Sequence, residues 1–184
     1  SENYCGGLID SLGGHIHPLA LNRGLVYGFC QNGGQVFEQT EVVSVEERED
    51  GIYVTTISGV IKARKSVVMG VHHASFKLLQ KNNRTTIPFY TYVCTTAPLE
   101  VNLKELLPTD APVYDTQFQI DYYRGVSQNR ILFGGEGTGS CWSPEKTHQY
   151  LLGRIQHVFP QLKQVELDFV WSGTTDLTMN GAAD

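Results

Sequence analysis

Long apolar runs are missing from this 184-residue chain: no segment reaches the ~18 consecutive apolar residues that a membrane-spanning helix needs. Blocks of like charge are missing too. The longest acidic run, Glu46 to Asp50, is already interrupted by Arg48, and 14 basic against 19 acidic residues leave a net charge of −5. That balance offers a phosphate backbone no basic stripe and excludes nucleic acid as the expected partner. The four cysteines, at 5, 30, 94 and 141, form no Cys-x-x-Cys pair, so neither a zinc cage nor a disulfide framework of the secreted type is indicated. A reducing, cytoplasmic setting is expected. Charged residues make up only 18%, too few for a disordered tail, and there is no internal repeat or low-complexity segment.

What remains is 41% hydrophobic and patterned for a folded core. Pro18 suits a first helical turn, Leu21, Leu25 and Phe29 with Val26 and Cys30 recur at three and four, and Gly33-Gly34 stops the run, which predicts a helix over 18–32. Short β-rich runs follow at 35–47, 51–57, 60–63 and 66–71, with breaks at Asp50-Gly51 and Ser58-Gly59 that favour antiparallel hairpins. A brief helix is expected near 74–81. The segment 86–97 is rich in aromatic and β-branched residues and reads as a strand, whereas 98–113, with Pro98, Pro108 and Pro112, reads as a loop. Strands at 114–124, 129–137 and 165–171 enclose a helix from about 144 to 158, with Ser143 as N-cap, Pro144 at the first position, Leu151, Leu152, Ile155, Val158 and Phe159 as its stripe, and Pro160 as its stop. Beyond 171 a polar end is expected. The fold class is α+β.

Histidines are the first chemical candidates. In "GGHIHP" (13–18), His15 and His17 would share a face of a strand and could hold a metal with a third ligand, but His148 and His157 have no i+4 partner, and His72-His73 read as surface or capping residues. No metal is expected; the pair marks the end of a strand that turns into the helix through Pro18. No nucleophile–His–Asp pattern is present.

The order of segments is more informative than any one of them. "GGHIHPLALNRGLVYGFCQNGGQVFEQTEVVSVE" followed by "GVIKARKSVVMG", and then "IPFYTYVCTTAPL", "IDYYRGVSQNRILFGG", "FPQL" and "VWSGTTDLT", resembles the D-amino-acid-oxidase-like (DAO) family of FAD-dependent oxidoreductases, in its gamma-glutamylputrescine oxidoreductase-like branch. The likeness covers nearly the whole chain. Such enzymes carry a Gly-x-Gly-x-x-Gly turn that brings backbone close to a pyrophosphate at a helix N-terminus. "CGGLIDSLGG" has its glycines at other spacings. The expectation is an internal piece of a longer enzyme, inactive and without FAD by itself: residues 1–17 a strand shared with the substrate domain, 18–81 part of a FAD/NAD(P)-binding domain (helix plus β-meander), and 82–184 an antiparallel-sheet substrate domain carrying one long helix.

The resemblance also implies site residues. Val42 stands where the family's backbone meets the adenine end of FAD, Gly70 where a strand end passes the cofactor, and His17 near the flavin or substrate. Tyr122 falls where amine-oxidising relatives place a tyrosine over the substrate; Tyr123 is its neighbour, and since adjacent strand residues face opposite sides, only one of the two can face the flavin. Thr175 occupies the position where amino-acid oxidases of the family carry a carboxylate-clamping arginine. An amine or capped polyamine is therefore the expected substrate rather than a simple α-amino acid, with Arg124 and Arg130 as further carboxylate candidates. The implied chemistry is hydride removal from the C–H beside an amine to FAD, giving an imine. A rival expectation is a non-catalytic α+β ligand-binding module, which would cover its own apolar faces; an enzyme piece would leave one bare.

Overall fold

A computed structural model describes residues 3–72, 78 and 86–178 of the chain. The described residues fall into two compact units: 16–72 with 78, 86 and 178, and 3–15 with 87–177.

The first unit opens with helix α1 (Pro18–Gln31). His17 is its N-cap: Nδ1 accepts the N–H of Ala20 at 3.3 Å, while Pro18 supplies a first-turn residue with no N–H to satisfy. The C-terminus closes on Gly33, held at φ +84. The Gly33 and Gly34 N–H groups return to Cys30 O and Phe29 O, both at 3.0 Å, a pairing that engages two carbonyls of the last turn. None of the residues of α1 is buried, and its apolar stripe lies open, Leu25 at 64% and Phe29 at 54% exposure.

Strands β1 (Val42–Arg48), β2 (Gly51–Thr56) and β3 (Gly59–Ala63) form an antiparallel meander in that order. Arg48 opposes Gly51 and Thr56 opposes Gly59, so both connections are two-residue turns at the places the Asp-Gly and Ser-Gly pairs mark. Gly51 sits at φ +141, a backbone state that a side chain would strain. On the outside, Lys62 bridges Asp50 at 2.6 Å while the Arg48 guanidinium lies 4.3 Å from the Tyr53 ring centre.

Several sequence expectations are corrected. Residues 3–17 carry no strand; this glycine-rich segment runs exposed over most of its length. Strand β1 begins at Val42 rather than 35, and the apolar run 66–71 pairs with nothing. Apolar, β-branched composition favours a strand, but a strand needs a neighbour. The helix expected near 74–81 lies, apart from Leu78, outside the described residues, as does His73.

In the second unit, strands β4 (Thr86–Thr96), β5 (Val113–Tyr114), β6 (Tyr122–Val126), β7 (Arg130–Thr138) and β8 (Leu167–Thr178) form one sheet in the order β5-β6-β7-β4-β8. Helix α2 (Leu103–Leu106) is a short turn inside the expected loop, and helix α3 (Pro144–Val158) begins at the anticipated cap, Ser143 Oγ accepting from the Lys146 N–H at 3.3 Å. Leu151, Ile155 and Val158 of α3 press on Tyr92 and Cys94 of β4, Tyr123 of β6, and Ile131 and Phe133 of β7. Tyr92, Cys94 and Thr96 alternate, as do Ile131 and Phe133, so one face of the sheet is core. Asn129, at φ +55 in the β6–β7 turn, fastens the loop ahead of α2: its amide donates to Leu99 O and Val101 O and accepts from the Leu103 N–H.

Strand β8 runs on through the stretch expected to be a polar end, because its threonines are good strand formers once β4 offers a ladder. Cutting Ile155, fully buried, to alanine is expected to cost about 2–5 kcal/mol in urea unfolding, as a large-to-small change in a packed core does. Leu25→Ala, on the open stripe of α1, is expected to stay within about 0.5 kcal/mol in the same measurement on this chain.

Candidate functional site

The pleat that turns Tyr123 inward turns its neighbours outward. Tyr123 is 7% exposed, stacks on Phe133 with ring centres 5.7 Å apart and meets Phe159 edge-on at 5.1 Å. It is a core residue, and its assignment to substrate contact is corrected on that ground. Tyr122 and Arg124 therefore lie on the opposite, outer face of the sheet, both half-buried. Tyr122 opposes Gly134, which opposes Val93; Arg124 opposes Leu132, which opposes Thr95.

Gly134 is what lets Tyr122 lie down. A Cβ at that position would overlap the Tyr122 ring, so the phenol spreads across the bare backbone of β7. Burial pushes the Tyr122 phenol above its ordinary value, which keeps it a neutral donor at physiological pH. Gly137 plays the same part for the Phe89 ring. The glycine run "GGEG" inside a strand was the available signal for such close approach.

Behind Tyr122 the backbone is pinned. Asp121 is fully buried; both its oxygens are met by Arg154 of α3, Nε at 3.2 Å from Oδ1 and Nη2 on Oδ2. The Asp121 N–H donates to Asp115 Oδ1 at 3.1 Å, and the Asp115 N–H to Asp121 O at 3.0 Å, which closes the loop 115–121 at its base. Sequence reasoning missed this pair: 33 residues separate its partners, and nothing local marks either one.

The remaining sequence candidates fall elsewhere. His17 spends Nδ1 on capping α1. Val42 is the half-buried first residue of β1, opposite Thr56 and beside an irregularity in the register. Gly70 is exposed, follows an unpaired run, and would meet nothing within 4 Å if given a Cβ. Thr175 is half-buried on β8, in the same sheet as Tyr122 but with two strands between. Arg130 is engaged in structure: Nη1 donates to Thr96 O at 2.8 Å and pairs with Asp168. His15 is brought to the outer face, its Nδ1 2.6 Å from Arg124 Nη1. Burial pushes the Cys94 thiol up to about 12, so it stays protonated and unreactive.

No group of three or more His, Cys, Asp or Glu suited to a metal exists among the described residues. Nor do they build a diphosphate cradle. The one long helix N-terminus of the first unit is stopped by the His17 side chain and by Pro18, whose nitrogen carries no hydrogen. The start of α1 therefore supplies no pyrophosphate-binding turn.

Gly134→Ala is expected to lower unfolding free energy by about 1–3 kcal/mol, since the Tyr122 ring must leave its seat, whereas Gly70→Ala should change it by less than about 0.5 kcal/mol. Arg154→Met leaves the Asp121 carboxylate buried and unpaired, and about 3–5 kcal/mol is the expected loss in the same denaturation experiment.

Comparison with known proteins identifies the family. The family described as FAD dependent oxidoreductase (DAO) matches residues 1–183. The chain is 33% identical over 181 residues to gamma-glutamylputrescine oxidoreductase of Escherichia coli, covering 98% of this chain and 42% of that protein. It is 32% identical over 187 residues to a probable oxidoreductase, OrdL, of Haemophilus influenzae, again over 98% and 42%. The chain thus spans about two-fifths of the length of the curated relatives it matches. Among solved structures, glycine oxidase from Geobacillus kaustophilus superposes with a TM-score of 0.69 at 22% identity over 88% of this chain and 43% of that one. L-proline dehydrogenase from P. horikoshii gives 0.67 at 17% over 85% and 43%. The fold is theirs, and the chain belongs to the DAO family of FAD-dependent oxidoreductases.

Proposed function

We propose that this chain is the substrate-facing part of a flavoenzyme that oxidises amines, and that the outer face of the five-stranded sheet receives the substrate. The observation that carries the reading is Tyr122, a half-buried neutral phenol laid flat on Gly134 and anchored through Asp121 to α3. An enzyme that removes hydride from the carbon beside an amine needs that carbon held at a fixed distance in a dry, largely aromatic setting. Bound FAD would supply the hydride acceptor, and water would hydrolyse the product imine. The chain's own part is to position the amine and exclude solvent.

Support for an amine rather than a simple α-amino acid comes from Thr175, which stands where an arginine would clamp an α-carboxylate, and from the relative named gamma-glutamylputrescine oxidoreductase. The substrate proposed is an acylated polyamine. The first unit is proposed as part of the cofactor domain, with Val42 beside the adenine end of FAD, Gly70 where the chain passes the cofactor and His17 near the flavin or substrate; Thr175 is proposed as a substrate neighbour. A self-sufficient binding module would bury the stripe of α1, and the absence of any buried residue there weighs against it. No helix among the described residues is long and apolar enough to cross a membrane. A cytoplasmic location is proposed from the four cysteines, all of them free thiols.

The test is anaerobic mixing of the full-length flavoprotein with gamma-glutamylputrescine and, separately, with glycine. Bleaching of the oxidised-flavin band by the first and not the second is expected, with Tyr122→Phe lowering kcat/KM about ten-fold through loss of one hydrogen bond. Bleaching by glycine alone overturns the reading.

A further inference from the structure

Within the strands, one residue other than glycine holds a left-handed backbone. Glu136, inside β7, sits at φ +59; the other non-glycine residues with positive φ among the described residues, Gln39, His72, Gln128 and Asn129, all lie outside strands. Its neighbours sharpen the contrast. The run is Gly134-Gly135-Glu136-Gly137, and none of those three glycines uses a positive φ. A glycine would adopt the left-handed state without steric cost, so what the glutamate adds at that position is its side chain.

The left-handed residue makes a β-bulge. Tyr92 opposes Gly135 and Thr91 opposes Gly137, which leaves Glu136 as the extra residue of β7. In a regular strand, positions 134 and 137 would face opposite sides. The bulge brings both to the outer face, Gly134 under the Tyr122 ring and Gly137 under the Phe89 ring, while Thr138 turns inward with its hydroxyl 2.9 Å from Tyr92 Oη. Two half-buried rings thereby share one face.

Helix α3 holds both seats from the inner side. Arg154 takes the carboxylate of Asp121, the residue before Tyr122; one turn earlier, Tyr150 meets the carboxylate of Glu136, the residue before Gly137. Burial, and then this carboxylate, push the Tyr150 phenol above its ordinary value, so it stays a donor. The Trp142 ring meets Tyr150 edge-on at 5.3 Å and restrains it.

We propose that Glu136 is a positioning residue of the substrate face: clasped by Tyr150, it locks the bulge that seats Phe89 and Tyr122 on a common side of the sheet. This role rests on the outer face being the substrate face. Glycine at 136 would relieve the backbone and release the bulge, so stability and rate should part company.

The experiment uses the full-length flavoprotein, read by urea unfolding, by hydrogen–deuterium exchange over 131–138 and by anaerobic flavin reduction with gamma-glutamylputrescine. Glu136→Gly is expected to keep or raise the urea midpoint, to speed exchange about ten-fold or more, and to slow the limiting reduction rate about ten-fold with the apparent Kd within about two-fold. Glu136→Gln, whose amide oxygen still accepts from Tyr150, should stay within about two-fold of the wild type in exchange and in rate. Tyr150→Phe, which removes the clasp from the other side, should reproduce the faster exchange. Wild-type exchange in Glu136→Gly or Tyr150→Phe, a wild-type reduction rate in the former, or a lowered urea midpoint there overturns the role. If the wild type itself is not reduced, amine oxidation falls instead, and exchange in the variants still decides whether Glu136 locks the bulge.

Discussion

The alternation of side chains across the five-stranded sheet, fixed by the pressure of α3 on one face, is the constraint from which the rest of the second unit follows. Leu151, Ile155 and Val158 are fully or nearly fully buried against Tyr92, Cys94, Ile131 and Phe133. Each such side chain contributes about 1.5–3 kcal/mol by leaving water, so a one-residue slip of β6 or β7 would expose the whole inner set. Once Tyr123 and Phe133 are committed to the core, Tyr122, Arg124 and Thr95 have only the outer face left. That outer face is the complement of the core, written on the same strands.

Around that sheet, polar groups are used as fasteners. The Asp121–Arg154 pair is of the kind whose gain in attraction is largely offset by desolvation, so its worth lies less in net stability than in fixing where the residue next to Asp121 points. Asn129 ties the loop before α2 to the β6–β7 turn, and Tyr92 holds the entry to α3, its hydroxyl accepting from the Trp142 N–H at 2.9 Å while the two rings stack. Each side chain replaces a backbone ladder where the chain leaves regular structure. The glycines at 134 and 137 complete the arrangement by yielding space to Tyr122 and Phe89.

The first unit is built differently. Its helix and meander are formed by local signals, a capped start, a left-handed glycine stop and two tight turns, and little of its apolar surface is removed from water. Leu21, Leu25 and Phe29 make a stripe with helical period, the pattern of a face meant for burial. Because the chain spans about two-fifths of its relatives, that stripe is consistent with the enzyme reading and hard to reconcile with a free-standing module.

The residues alone determined whatever is local. Pro18 and Gly33 bounded α1, Ser143 and Pro160 bounded α3, and two glycine turns placed the meander, because caps and turns act over three or four residues. The family was legible from segment order, and the identity of the outward tyrosine was narrowed to two neighbours. Tertiary structure decided what depends on partners far along the chain. It turned Tyr123 inward by giving it Phe133 and Phe159 and left Tyr122 on the outer face, engaged Arg130 with Asp168, and set His15 against Arg124 across 109 positions. It also formed no strand over 3–17 or 66–71, since a strand's backbone hydrogen bonds come from a neighbour that composition cannot supply.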